Sequence, residues 1–169
     1  MSGLTNRFWS WYEQHYLLNV SIALGLFLLQ IIHLIWLFGD IVVPRLGGPT
    51  LFGIEGLWSW LLILVDYTEI PAIISVSLVY TNELRKKFSW QPVFYLLALN
   101  SQWIHIFWIT DEFVVDAFTG KVFSPLWLTW IAIGIDYLEV PVIIATARKF
   151  FEALRERRIG KFLTTELRD

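Results

Sequence analysis

The chain contains no cysteine, so disulfides, thiolate metal ligands and thiol catalysis are excluded, and sulfur gives no information on the redox compartment. Histidine is scarce as well, at three residues in 169. Lys and Arg are absent from four long apolar windows, at about 17–38, 57–80, 92–110 and 126–147. Nothing matches a nucleotide-binding loop, a zinc-protease helix motif or a serine-hydrolase elbow.

What the chain has in excess is apolar surface. A hydrophobic content of 56% and a mean hydropathy of +0.58 exceed what a soluble domain of this size carries. Each window meets the requirement of roughly 20 apolar residues for a bilayer-spanning helix. The sequence therefore predicts an all-α integral membrane protein with four transmembrane helices. The first window is too long, and too similar to the third, for a cleavable signal peptide.

Within these windows the same polar motif occurs twice. Gln30-Ile31-Ile32-His33-Leu34-Ile35-Trp36 recurs as Gln102-Trp103-Ile104-His105-Ile106-Phe107-Trp108, and Asp66-Tyr67-Thr68-Glu69-Ile70-Pro71 recurs as Asp136-Tyr137-Leu138-Glu139-Val140-Pro141. Six of fourteen positions from Gln30 to Val43 are identical at an offset of 72, and eight of fifteen from Trp60 to Ile74 at an offset of 70. The chain is read as two tandem two-helix repeats.

Orientation follows from the cations. Arg7, the link with Arg85, Lys86 and Lys87, and the tail with Arg148, Lys149, Arg155, Arg157, Arg158, Lys161 and Arg168 hold eleven basic residues, against Arg45 and Lys121 in the other two links. The positive-inside rule then puts both termini on the cytoplasmic side, while Asp40, Glu55, Asp111, Glu112 and Asp116 fall in the outer links. A basic tail beside a membrane is expected from topology and anionic lipid, without nucleic acid as a partner. The expected organisation is an interfacial N-terminal segment over 1–16, a first repeat over 17–80, a cytoplasmic link over 81–91, a second repeat over 92–147 and a basic C-terminal helix over 148–169, with Phe150, Leu154 and Phe162 available to the membrane surface. Repeats of two spans enter the bilayer in the same direction. They should form a four-transmembrane-helix bundle about a pseudo-two-fold axis along the membrane normal, N-in/C-in, with oligomeric state left open. Gly47-Gly48-Pro49 and Thr119-Gly120-Lys121 mark turns in outer links expected to lie on the bundle, and Gly25 and Gly134 are expected at close helix contacts.

Ionisable groups inside a membrane span are costly and point to a site. At 1.5 Å per residue, His33, Asp66 and Glu69 fall roughly 8, 14 and 18 Å below the outer surface, and His105, Asp136 and Glu139 repeat those depths. Asp and Glu three residues apart share a helix face. Pro71 and Pro141 remove the amides that would bond the carbonyls of Tyr67 and Tyr137, so each helix should kink beside its carboxylates. Four ionised carboxylates cost on the order of 10 kcal/mol in a bilayer, which two divalent cations would neutralise. The inventory suits a di-metal centre of iron, manganese or zinc held by His33, Asp66, Glu69, His105, Asp136 and Glu139. Gln30 and Gln102 are expected to fix the imidazole tautomers, with Trp36, Trp108, Tyr67 and Tyr137 as an aromatic wall.

Three functions follow from that inventory. The first is a metal-dependent redox or hydrolytic enzyme acting on a lipid-soluble substrate. The second is a transporter or channel for divalent cations or protons that uses the same carboxylates. The third is a b-type haem protein with His33 and His105 as axial ligands, which leaves the four carboxylates without a role.

Overall fold

The computed structural model describes residues 2–54, 56–120 and 126–165. Among them every regular element is helical and no strand occurs. Glu55, Lys121 and Arg168, together with the side chains of Glu112, Asp116, Arg158, Lys161 and Phe162, lie outside the described residues.

Three helical runs are long and apolar enough to cross a membrane: Tyr16–Arg45, Trp60–Lys86 and Trp127–Arg157. The chain begins with α1 (Ser2–Gln14), then α2 (Tyr16–Trp36), which passes through a π-helical turn (Leu37–Val42) into α3 (Val43–Arg45). A return loop leads to α4 (Leu57–Tyr67) and α5 (Glu69–Lys86). The third expected window is interrupted, α6 (Trp90–Asn100) and α7 (Gln102–Ile109) being separated at Ser101. A second π turn (Thr110–Val115) runs into α8 (Asp116–Thr119), followed by α9 (Leu126–Tyr137) and α10 (Glu139–Thr165).

The molecule exposes apolar faces that a soluble domain would cover, and it buries polar groups beside an apolar core. Leu18, Ile22, Leu28, Ile32 and Ile35 of α2 are exposed, whereas Gln30 and His33 on the same helix are buried. Exposed apolar faces of that extent need an apolar surrounding, which a bilayer supplies. α2 packs against both α5 and α10, and α6 also packs against α5 and α10. Val20, Ala23, Phe27, Ala72, Val76, Leu99 and Val142 fill the space between them.

The prolines have a visible local effect. The helical run breaks at Thr68, three residues before Pro71, and at Leu138, three before Pro141. There the Thr68 and Leu138 amides donate to the third carbonyl back, Val65 O and Ile135 O, each at 2.9 Å. Each bond closes a tightened turn between the aspartate and the glutamate, one turn ahead of the proline.

α1 does not lie apart from the bundle. Trp9 and Tyr12 are buried, the Arg85 guanidinium sits 4.3 Å over the Trp9 ring, and Lys86 Nζ is 3.5 Å from Glu13. Burial also pushes the Tyr12 phenol up from its ordinary pKa. The close-packing glycines differ from expectation: a Cβ on Gly25 or Gly134 would meet nothing within 4 Å. The tight glycine contacts are at the π turn and just after α3 instead. A Cβ on Gly39 would clash with the Phe52 ring, and one on Gly48 would stand 2.6 Å from Val43 Cγ1. Gly47, at a φ of 88°, ends the helical run in the left-handed conformation that glycine adopts without steric cost. The Asp40 carboxylate then accepts the amides of Phe52 at 2.8 Å, Ile54 at 3.2 Å and Gly53 at 3.3 Å. One side chain thus ties the return loop to the end of the first span.

Candidate metal centre

His33 on α2, Asp66 on α4, His105 on α7 and Asp136 on α9 meet in one buried cluster, although they come from four separate elements. His33 is placed between two carboxylates. Its Nδ1 is in contact with Asp66 Oδ1, and its Nε2 lies 3.8 Å from Asp136 Oδ2. His105 Nδ1 is 3.2 Å from Asp136 Oδ1. The two imidazole centroids are 6.1 Å apart and their planes are inclined at 65°.

Three of these residues could share one ion. His33, His105 and Asp136 each offer a ligand atom, and the three atoms lie within 4.8 Å of one another. Donors bound at about 2.0 to 2.2 Å around a single ion stand roughly 3 to 4 Å apart, so small side-chain rotations close the difference. Both nitrogens of His33 and of His105, Asp66 Oδ1 and Asp136 Oδ2 are buried without a hydrogen bond. Their ion contacts with one another are the interactions described above. Buried polar atoms in that number call for a cation or protons among them.

Glu69 and Glu139, which begin α5 and α10, form a second pair. Both are buried, and each carboxyl lies close enough to act electrostatically on the other. Each glutamate follows its aspartate by three residues, about one helical turn further along the chain than the cluster of His33, His105, Asp66 and Asp136.

The glutamines are placed differently from the expectation that they fix the imidazoles. Gln30 Nε2 donates to Val65 O at 3.2 Å and to Thr68 Oγ1 at 3.1 Å, and Gln102 Nε2 donates to Ile135 O at 2.8 Å. In both halves the amide satisfies the backbone at the helix break, one residue before the aspartate. The contact that orients an imidazole is instead that of Asp66 on His33 Nδ1.

Trp36 and Trp108 lie beside the histidines with their rings tilted, the centroids 5.8 and 6.0 Å away. The tyrosines diverge. Tyr67 bonds Thr110 Oγ1 at 2.8 Å, crossing between the halves, whereas Tyr137 is exposed. A cavity of about 60 Å³ opens on the cluster, lined by His33, Asp66, His105 and Asp136 at its polar end and by Trp36, Trp108, Ile109 and Ile133 along its walls. Arg45 also lines it, a residue that its assignment to an outer link gave no reason to place near the site. Only its position on a helical extension of the first span could have signalled that contact.

No family model, curated protein or solved structure matches the chain.

Proposed function

We propose that the protein is an intramembrane metal-binding protein whose centre of histidine and carboxylate ligands performs redox or hydrolytic chemistry on a lipid-soluble substrate. The observation that carries this reading is the convergence of His33, His105 and Asp136, with ligand atoms within 4.8 Å, in a buried cluster whose imidazoles and carboxylates contact only one another. Mixed imidazole and carboxylate ligation suits iron, manganese or zinc. Asp66 on His33 Nδ1 reproduces the carboxylate–histidine–metal arrangement, in which the outer carboxylate fixes the tautomer and leaves Nε2 for the metal. In this reading Glu69 and Glu139 supply the anionic ligands of a second ion.

The same features support the finer architecture. Both histidine helices run into a π turn, Leu37–Val42 and Thr110–Val115, both carboxylate helices break between Asp and Glu, and each glutamine caps its own break. We take α6 and α7 together as the fourth span, two repeats about an axis along the membrane normal, and both termini on the basic cytoplasmic side.

Elemental analysis of protein purified without chelators tests this reading. Close to two equivalents of a transition metal are expected, and His33→Ala should abolish most of the content. A metal content near zero would overturn it in favour of protonated histidine–carboxylate pairs that merely hold the helices together. A Soret band that disappears with His33→Ala would instead establish the haem protein.

A further inference from the structure

A second, larger cleft of about 420 Å³ shares no lining residue with the histidine cavity. Pro141, Ile144, Ala145, Arg148, Lys149 and Glu152 of α10 line it. Their spacing of three and four residues puts them on one face of the helix. Over roughly 16 Å of axis that face passes from apolar to charged. The rest of the lining is Gln91 and Tyr95, one turn apart on α6, and Glu83 near the end of α5. Two of these contacts are already closed within the wall: Gln91 Nε2 donates to Tyr95 Oη at 2.9 Å, and Lys149 Nζ stands 2.5 Å from Glu83 Oε2. Arg148 and Glu152 are exposed, and neither has an ion-pair partner among the described residues.

The direction of this gradient matches one leaflet of a bilayer. α10 starts at the buried Glu139 and runs out into the basic tail, so Pro141 and the half-exposed Ile144 belong to the hydrocarbon side and Arg148 to Glu152 to the headgroup side. The charges are not a requirement of the duplicated motif, since the residues 70 positions before Arg148, Lys149 and Glu152 are Leu78, Val79 and Asn82. Val79 and Asn82 are buried in the bundle, whereas the α10 face at the equivalent positions is open and carries ions.

Charge and size select the occupant. Two cations, Arg148 and Lys149, and two anions, Glu83 and Glu152, line the cleft, so a purely anionic headgroup gains nothing from their sum. A headgroup bearing both signs can match them separately. The guanidinium fork suits a phosphodiester, and a carboxylate accepts charge-assisted hydrogen bonds from a primary ammonium but not from a quaternary one. Arg148 and Glu152, four residues apart, are neighbours on the helix surface. The cleft has room for about fourteen waters at roughly 30 Å³ each, ample for a phosphate with its amino-alcohol.

We infer that this cleft is a binding site for a zwitterionic phospholipid with a primary-amine headgroup, its phosphate on Arg148, its ammonium on Glu152 and its first chain carbons along Ile144 and Pro141. The site is independent of the metal centre.

Native mass spectrometry of the full-length protein in neutral detergent tests this by titration with dioleoyl phosphatidylethanolamine, phosphatidylcholine and phosphatidylglycerol, and with glycerophosphoethanolamine as the headgroup without chains. The ethanolamine lipid should bind most tightly and the chainless headgroup at least tenfold more weakly. Arg148→Gln should weaken the ethanolamine lipid about tenfold, with partial recovery in Arg148→Lys. Glu152→Gln should remove the preference for ethanolamine over choline. Arg155→Gln, outside the cleft, should change nothing. Equal binding of the three lipids, tightest binding of phosphatidylglycerol, or indifference to Arg148→Gln would overturn the proposal. Chainless headgroup binding as tightly as the lipid would overturn it as well, since the apolar half of the cleft would then contribute nothing.

Discussion

At the scale of single residues, the roles of the aspartates divide. Asp136 contacts both histidines and shares the three-residue ligand group, whereas Asp66 sits on the far nitrogen of His33. Asp136→Asn should therefore abolish metal retention, while Asp66→Asn should weaken affinity by about 10 to 100-fold and leave stoichiometry intact, as loss of an orienting partner does. Competition titration with a chromogenic chelator distinguishes the two outcomes; equal losses would erase the distinction. If His33 and His105 serve one shared centre, each single alanine variant should lose most of the metal and the double variant should be little worse. Two independent half-losses that add would remove the shared centre.

At the scale of elements, the helix breaks are held by the glutamines. Gln102 Nε2 adds a second donor to the backbone acceptor Ile135 O at the break. Gln102→Leu should cost about 0.5 to 1.5 kcal/mol, the net worth of one hydrogen bond, because Ile135 O keeps only the Leu138 amide at 2.9 Å. Reversible unfolding in mixed micelles would measure it. Gln30→Leu should cost less, because Val65 O is also bonded by Thr68 through its amide at 2.9 Å and its hydroxyl at 2.6 Å. The equivalent position in the second half is Leu138, which has no hydroxyl to offer. A larger loss at Gln30 than at Gln102 would contradict this account of the break.

At the scale of the whole molecule, two predictions concern charge. With no native cysteine, single cysteines can be introduced without background. Asn6→Cys and Thr164→Cys should react with a membrane-impermeant maleimide only after the cells are permeabilised, whereas Pro49→Cys should react in intact cells. Labelling of Asn6→Cys in intact cells would invert the topology. Metal binding should also release protons, because cation and protons compete for the same oxygens and nitrogens, and affinity should fall as the solution is acidified. Addition of Fe²⁺, Mn²⁺ or Zn²⁺ to apo protein in weak buffer reads this directly. A flat proton trace with all three metals would leave the cluster as structural pairing only.

The helical class, the apolar runs and the candidate residues were legible in the sequence, because they depend on composition and on spacing along one chain. Charged groups in an apolar window are costly wherever they face, so the duplicated His and Asp-x-x-Glu motifs stand out before any packing is known. Pro71 and Pro141 marked the neighbourhood of the breaks for the same local reason, the loss of one amide. Sequence did not reveal how the polar atoms pair, since that depends on which helix faces are brought together. Gln30 and Gln102, one turn from their histidines, point to carbonyls on the neighbouring helix, and the partner of His33 Nδ1 is Asp66. Nor could spacing place Arg45, which a link assignment put outside the membrane. The helical run carries through the π turn to Arg45 and brings its side chain to the cavity wall, a contact fixed by tertiary structure alone.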